Sequence, residues 1–315
     1  MSHRRSCSRT LVLLPLLTLA ACASAPPPVE PAPITTVATP SEQPSSEPSS
    51  GPADVDGRVA AARARLEATP AGKVVLAGIE AQGGLTPWMA ANAIGFDYAY
   101  RPTDGRGPKV SYQTVELRTA RVFHTFAEPT RGGIAWDGER AWSALEDNAA
   151  VPARFWALTP FYFTAMPFVL ADPGVKLELV EDDPAAAGFG PADVVRVTFE
   201  AGTGDAPEDY YVVYFDKADH HMLGLRYVVS WKPFVAPKNL AHTPEKLVVY
   251  SQPIEVGGIK VAGTQTFYAF DGKRGDRVTT ATVRDVAFPA TFDPATLSMP
   301  DGAVIDTSLD AFKAP

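Results

Sequence analysis

In segment after segment between residues 94 and 288, apolar side chains fall at every second position, and this period-two pattern commits most of the chain to β-structure. Eleven candidate strands cover residues 94–101, 110–119, 122–127, 133–137, 175–180, 194–200, 210–216, 223–231, 247–255, 259–270 and 278–288. Turn pairs such as Asp137-Gly138, Gly257-Gly258 and Asp271-Gly272 separate many neighbours, as an antiparallel meander requires. The predicted fold class is mainly β (α+β), built on one large, curved antiparallel sheet.

Helices open the body. Val55, Val59, Ala62 and Leu66 recur at helical spacing, and Thr69-Pro70 reads as an N-cap followed by proline in the first turn of a second helix. That helix runs through Val74, Val75 and Ile79 to a stop at Gly83-Gly84, and Thr86-Pro87 begins another short turn. Midway through the strands, residues 153–172 (ARFWALTPFYFTAMPFVLAD) break the pattern. Pro160 and Pro167 exclude a continuous strand and would break one long helix, so two short helical pieces are expected across the sheet, starting after Val151-Pro152 and at Thr159-Pro160.

The strand at 210–216 is apolar at successive positions (YYVVYF), so it must be covered on both faces, whereas a meander with one wet face alternates. Helices laid on the concave face would supply one cover and leave an apolar cavity wherever they fit imperfectly. Trp156, Phe161, Tyr162, Phe163, Met166, Phe168 and Tyr211 are the candidate ligand-binding residues of that cavity, with Met166 an adaptable lining. Core filling by the same aromatics is the alternative.

The first residues carry an export signal. A basic opening (His3, Arg4, Arg5, Arg9) precedes the apolar run 11–21, which Pro15 interrupts and which is shorter than the ~20 residues of a membrane-spanning helix. Leu19-Ala20-Ala21-Cys22 resembles the lipobox of bacterial lipoproteins, which predicts cleavage before Cys22 and lipidation of its thiol. Cys7 then leaves with the signal peptide, so the mature chain retains no thiol for a disulfide. Residues 23–52, rich in Pro, Ser and Ala, form a disordered tether with an upper reach on the order of 90 Å at ~3.1 Å per residue. The expected organisation is a signal peptide at 1–21, lipidated Cys22 with its tether to 52, and a single domain over 53–315. The expected location is the cell envelope, lipid-anchored at the outer membrane and facing the periplasm.

Charge narrows the partners. Losing Arg4, Arg5 and Arg9 leaves 25 of 28 basic residues against 36 acidic ones, a formal charge of −11. Such a chain gains nothing from phosphate electrostatics, so no nucleic-acid partner is expected, and membrane contact should come from the anchor. A monomer is expected.

Catalytic patterns are missing from the sequence. His124, His220, His221 and His242 are the body's histidines, with no HExxH or other metal-ligand spacing. Asp182-Asp183 and Glu208-Asp209 lie in Pro/Gly/Ala-rich connections where solvated acids are ordinary. There is no G-x-S-x-G elbow, and Gly83-Gly84 and Gly132-Gly133 lack the strand-then-helix context of a phosphate loop. No catalytic residue, metal or cofactor is assigned.

Several stretches match a known layout. Gly83-Gly84-Leu85 with Trp88, residues 137–142 (DGERAW), 159–163 (TPFYF) continuing through 166–174 (MPFVLADPG), 204–211 (GDAPEDYY) and 245–250 (EKLVVY) are spread along most of the body. In these stretches, and in its order of helices, strands and central helical insert, the chain resembles an uncharacterised bacterial lipoprotein family within the LolA/LolB-like superfamily of envelope proteins. The resemblance implies a half-open β-barrel whose concave face is apolar and covered by a helical plug. It also implies a role in binding acyl chains, as in lipid or lipoprotein transport. Anchoring at Cys22 is closer to a membrane-bound receiver than to a soluble shuttle. A non-catalytic envelope scaffold and an envelope hydrolase with an unrecognised site are the alternatives.

Overall fold

Alternation in the sequence becomes a single sheet. A computed structural model describes residues 52–148, 151–206 and 208–312, all within one compact unit spanning 49–315. The signal peptide, Cys22 and the tether through residue 51 lie outside the described residues. Among the described residues the strands are β1 (Ala93–Pro102), β2 (Lys109–Glu116), β3 (Val122–Phe126), β4 (Gly132–Trp136), β5 (Ala141–Leu145), β6 (Val175–Leu179) and β7 (Ala192–Phe199). They continue with β8 (Tyr211–Asp216), β9 (Met222–Tyr227), β10 (Lys246–Val256), β11 (Ile259–Phe270), β12 (Arg274–Ala287) and β13 (Val304–Ile305). Their order is β13-β5-β4-β3-β2-β1-β12-β11-β10-β9-β8-β7-β6, a curved antiparallel sheet that is not closed.

This order dictates what lies on the inner face. The chain meanders from β1 outward to β5, reappears at the opposite edge as β6, and meanders back until β12 pairs with β1, as in Tyr98 opposite Val283. The connection from β5 to β6 therefore has to cross a face of the sheet. It does so as α4 (Ala153–Thr164) followed by a tight turn of helix at Phe168–Ala171.

The expected break at Thr159-Pro160 is not seen: α4 is one helix with Pro160 inside it. The missing N–H of Pro160 costs one helical bond, to the carbonyl of Trp156. The burial of Trp156, Ala157, Phe161 and Phe163 on either side offsets that loss. The helix ends at Thr164 instead, just before Met166-Pro167.

The N-terminal helices follow expectation. α1 (Pro52–Glu67) packs on α2 (Pro70–Ala81), whose N-cap Thr69 accepts the Gly72 N–H at 3.0 Å. Gly83 and Gly84, at φ of 121° and 93°, take the left-handed backbone that ends α2 and starts α3 (Leu85–Ala90). α2 lies close to β8, and a Cβ on Gly78 would sit 2.3 Å from the Phe215 ring. β5 and β13 are additional to the eleven expected strands. β9 stops at Tyr227 rather than Trp231, because Val229 N–H turns to the Thr243 hydroxyl and Ser230 N–H to Asp209.

Both faces of β8 are covered, as its sequence requires. Tyr211, Val213 and Phe215 join the main core, while Val212 and Tyr214 join a second apolar cluster with Leu247, Phe270 and the 187–189 segment on the outer face. A third small cluster places Trp142 of β5 under Leu297 and Phe292.

Candidate functional site

The inner face of the sheet and the plug laid on it form the candidate site. Inward positions of the central strands carry Phe96, Tyr98 and Tyr100 of β1, Tyr227 of β9, Tyr250 of β10, and Gln265 and Phe267 of β11. α4 meets them ring against ring. Trp156 stands edge-on to Tyr100 (5.2 Å between centroids) and Tyr98 (6.5 Å), and Phe163 edge-on to Tyr227 (5.1 Å) and Phe267 (5.5 Å). Tyr162 stacks on Tyr211 at 5.7 Å. Edge-to-face and offset geometries at these distances contribute beyond area burial.

The structure brings most of the candidate residues together and separates two. Trp156, Phe161, Tyr162, Phe163 and Tyr211 share the α4 interface, with Tyr162 half-buried and the others buried. Phe168 and Met166 lie past the end of α4. Phe168 is wholly buried against Trp88 of α3, the rings parallel at 4.6 Å, so it fastens the plug to the N-terminal helices rather than to the sheet. These side chains fill the inner face. Two surface hollows lie elsewhere, one between α1 and α2 around Arg63 and Glu80, the other at the β6–β7 edge around Leu179 and Asp182.

Three polar bonds hold α4 to the inner face, with the strand residue as donor in each. At its N-terminal end the helix itself donates, Arg154 N–H to Asp306 at 2.8 Å and the Arg154 guanidinium to Asp205 at 2.7 Å. Phe163 lacks a helical partner for its carbonyl, since the residue four positions on is Pro167; the Tyr250 hydroxyl donates to it at 2.9 Å. His124 Nε2 lies 2.8 Å from the Ala157 carbonyl and must carry the proton there, because a carbonyl only accepts. Gln265 Nε2 donates to the Thr164 hydroxyl oxygen at 3.3 Å, while its Oε1 accepts from Tyr98 at 3.0 Å.

Burial disfavours the charged form of each titratable group here. It lowers His124 from 6.5 to about 4, against the opposing effect of its bond to Ala157, so the ring is neutral at physiological pH. It raises the phenols of Tyr98, Tyr211 and Tyr250 well above their usual value. Three polar groups of the interface have no hydrogen-bond partner: Trp156 Nε1, the Tyr162 hydroxyl and both amide atoms of the fully buried Gln113 on β2.

Sequence reasoning missed Tyr98, Tyr250, Gln265 and Gln113 as members of the site. A signal was present: Gln265 falls in the apolar phase of its strand, between Val261 and Phe267 at inward positions. His124 was weighed only as a metal ligand or base, whereas its two nitrogens face Ala157 and Ser111 in the core.

The other titratable candidates are engaged in ordinary structure. Asp182 accepts from Tyr214 at 2.8 Å and pairs with Arg226, Asp183 caps a helical turn, Glu208 pairs with Lys232, and Asp209 accepts the Ser230 N–H. Asp216, Asp219 and His221 bring ligand atoms within 4.8 Å of one another at the exposed β8–β9 turn, where Asp216 accepts from Ala218 N–H and Asp219 pairs with His221. Among the described residues, no helix is long and apolar enough to cross a membrane.

No protein-family profile and no curated protein matches the chain. Solved structures do resemble it. One is a LolA superfamily protein of Nitrosomonas europaea, at 8% identity over 73% of this chain and 98% of that one, with a TM-score of 0.47. Another is a DUF1329 family protein of Desulfovibrio piger, at 10% identity over 73% of this chain and 97% of that one, with a TM-score of 0.46.

Proposed function

We propose that this protein is an envelope lipoprotein that binds an acyl chain or another apolar ligand on the inner face of its sheet, in the place held by α4. The position of α4 carries the reading. The plug contributes no strand to the sheet, so it can lift away without breaking a ladder bond, and its removal would bare a continuous aromatic surface. A bound chain would restore that burial at ~0.8 kcal/mol per CH₂. The lipobox-like run ending at Cys22 supports anchoring in the envelope, with the tether letting the domain work away from the bilayer as a monomer.

The test is lipid extraction from the full chain purified out of bacterial membranes. The reading expects about one lipid per chain, and strongly reduced lipid in Phe163→Asp protein that still gives a cooperative unfolding transition. A second reading, a non-catalytic scaffold in which α4 is permanent core, is favoured by the filled inner face and expects no lipid in either protein.

A further inference from the structure

We infer that the ligand replacing α4 is an acyl lipid bearing carbonyl acceptor oxygens, and that Tyr250, Gln265 and His124 are the residues that select it. The inference rests on the proposed displacement of the plug. Its basis is the polarity of the three bonds between the inner face and α4 that displacement would break, the bond from Arg154 N–H to Asp306 at the helix N-terminal end running the other way. Tyr250 O–H, Gln265 Nε2–H and His124 Nε2–H all point from the sheet to acceptors on α4, namely the Phe163 carbonyl, the Thr164 hydroxyl oxygen and the Ala157 carbonyl.

When the helix leaves, three donors on an apolar face lose their partners together. Each unpaired buried donor costs about 1–3 kcal/mol, so a saturated hydrocarbon filling the same space would leave all three costs standing. A ligand with carbonyl oxygens would take over the positions of the two helix carbonyls and the threonine oxygen.

The donors are fixed in that role. Gln265 is fully buried and its orientation is set by the Tyr98 hydroxyl on its Oε1, which leaves its NH₂ toward the plug. His124 is fully buried, with Ser111 at its other nitrogen, 3.4 Å away, so Nε2 keeps the proton. Gln113, on β2 directly opposite His124 of β3, adds a buried amide with no partner at either end. An acyl ester or carboxyl group suits this face better than an ether, whose oxygens are weaker acceptors, and an alkane offers the donors nothing.

The experiment compares two lipids of matched size on the full chain in detergent, read by native mass spectrometry. One is dimyristoylglycerol, with two ester carbonyls; the other is its di-tetradecyl ether analogue, with none. Binding of the ester at least ~10-fold tighter than the ether, narrowed to a few-fold in Tyr250→Phe, is the expected result. Equal binding of both overturns the selection by these donors while leaving an apolar site intact. Binding of neither overturns the site itself, and this inference with it.

Discussion

The Tyr250 hydroxyl meets the carbonyl of Phe163 at 2.9 Å, at the end of α4, where the helix cannot satisfy this carbonyl because Pro167 lies four residues further on. A strand side chain thus completes the helix end. Tyr250→Phe removes the donor and orphans that carbonyl, so the variant should lose about 1–3 kcal/mol of stability, read as a lower urea midpoint at unchanged m-value.

Phe168 and Trp88 form the other fastening, with rings stacked at 4.6 Å and Phe168 fully buried. Phe168→Ala should cost about 3–5 kcal/mol by transfer and cavity effects. Met299→Ala, at a 50% exposed side chain outside the helices and strands, should fall within about ±0.5 kcal/mol and serves as the control in the same denaturation series.

Acid should loosen the plug through His124. Its folded value is held near 4 by burial against 6.5 for a free imidazole, so the folded state prefers the neutral ring. The stabilisation is complete above pH 6.5 and is lost as pH falls from 6.5 to 4, by roughly 3 kcal/mol at ~1.4 kcal/mol per pH unit. An imidazole titration by NMR should find His124 neutral at pH 5.5, where an exposed histidine is mostly protonated.

Gly78 offers a test with opposed signs. Alanine favours a helix over glycine by ~1 kcal/mol, yet a Cβ here would press to 2.3 Å from the Phe215 ring. Gly78→Ala should therefore destabilise, by about 1–3 kcal/mol of overpacking, in thermal unfolding.

Much of this architecture is legible in the sequence, for identifiable reasons. Alternation marks the strands because each has an inner face buried under helices, and Thr69-Pro70 marks α2 because both residues suit a helix start. β5 (AWSAL) escaped because Trp142 packs outward under Leu297, which erases the alternation. β13 is two exposed residues, Val304 and Ile305, and leaves no periodic trace. Pro160 misled because its local cost is visible in the sequence, whereas the aromatic contacts that offset it come from strands up to about a hundred residues away. The donors facing α4 were hidden for the same reason: Gln265 out of phase with its polar neighbours is visible, but Thr164 as its partner is a product of the crossover.

The central claim is that α4 yields its place to a lipid, and backbone hydrogen exchange of the full chain with and without dimyristoylglycerol tests it most directly. The account predicts that saturating lipid raises exchange across Phe155–Thr164 by tenfold or more while β11 keeps its protection. Unchanged or slower exchange of α4 with lipid bound would contradict it.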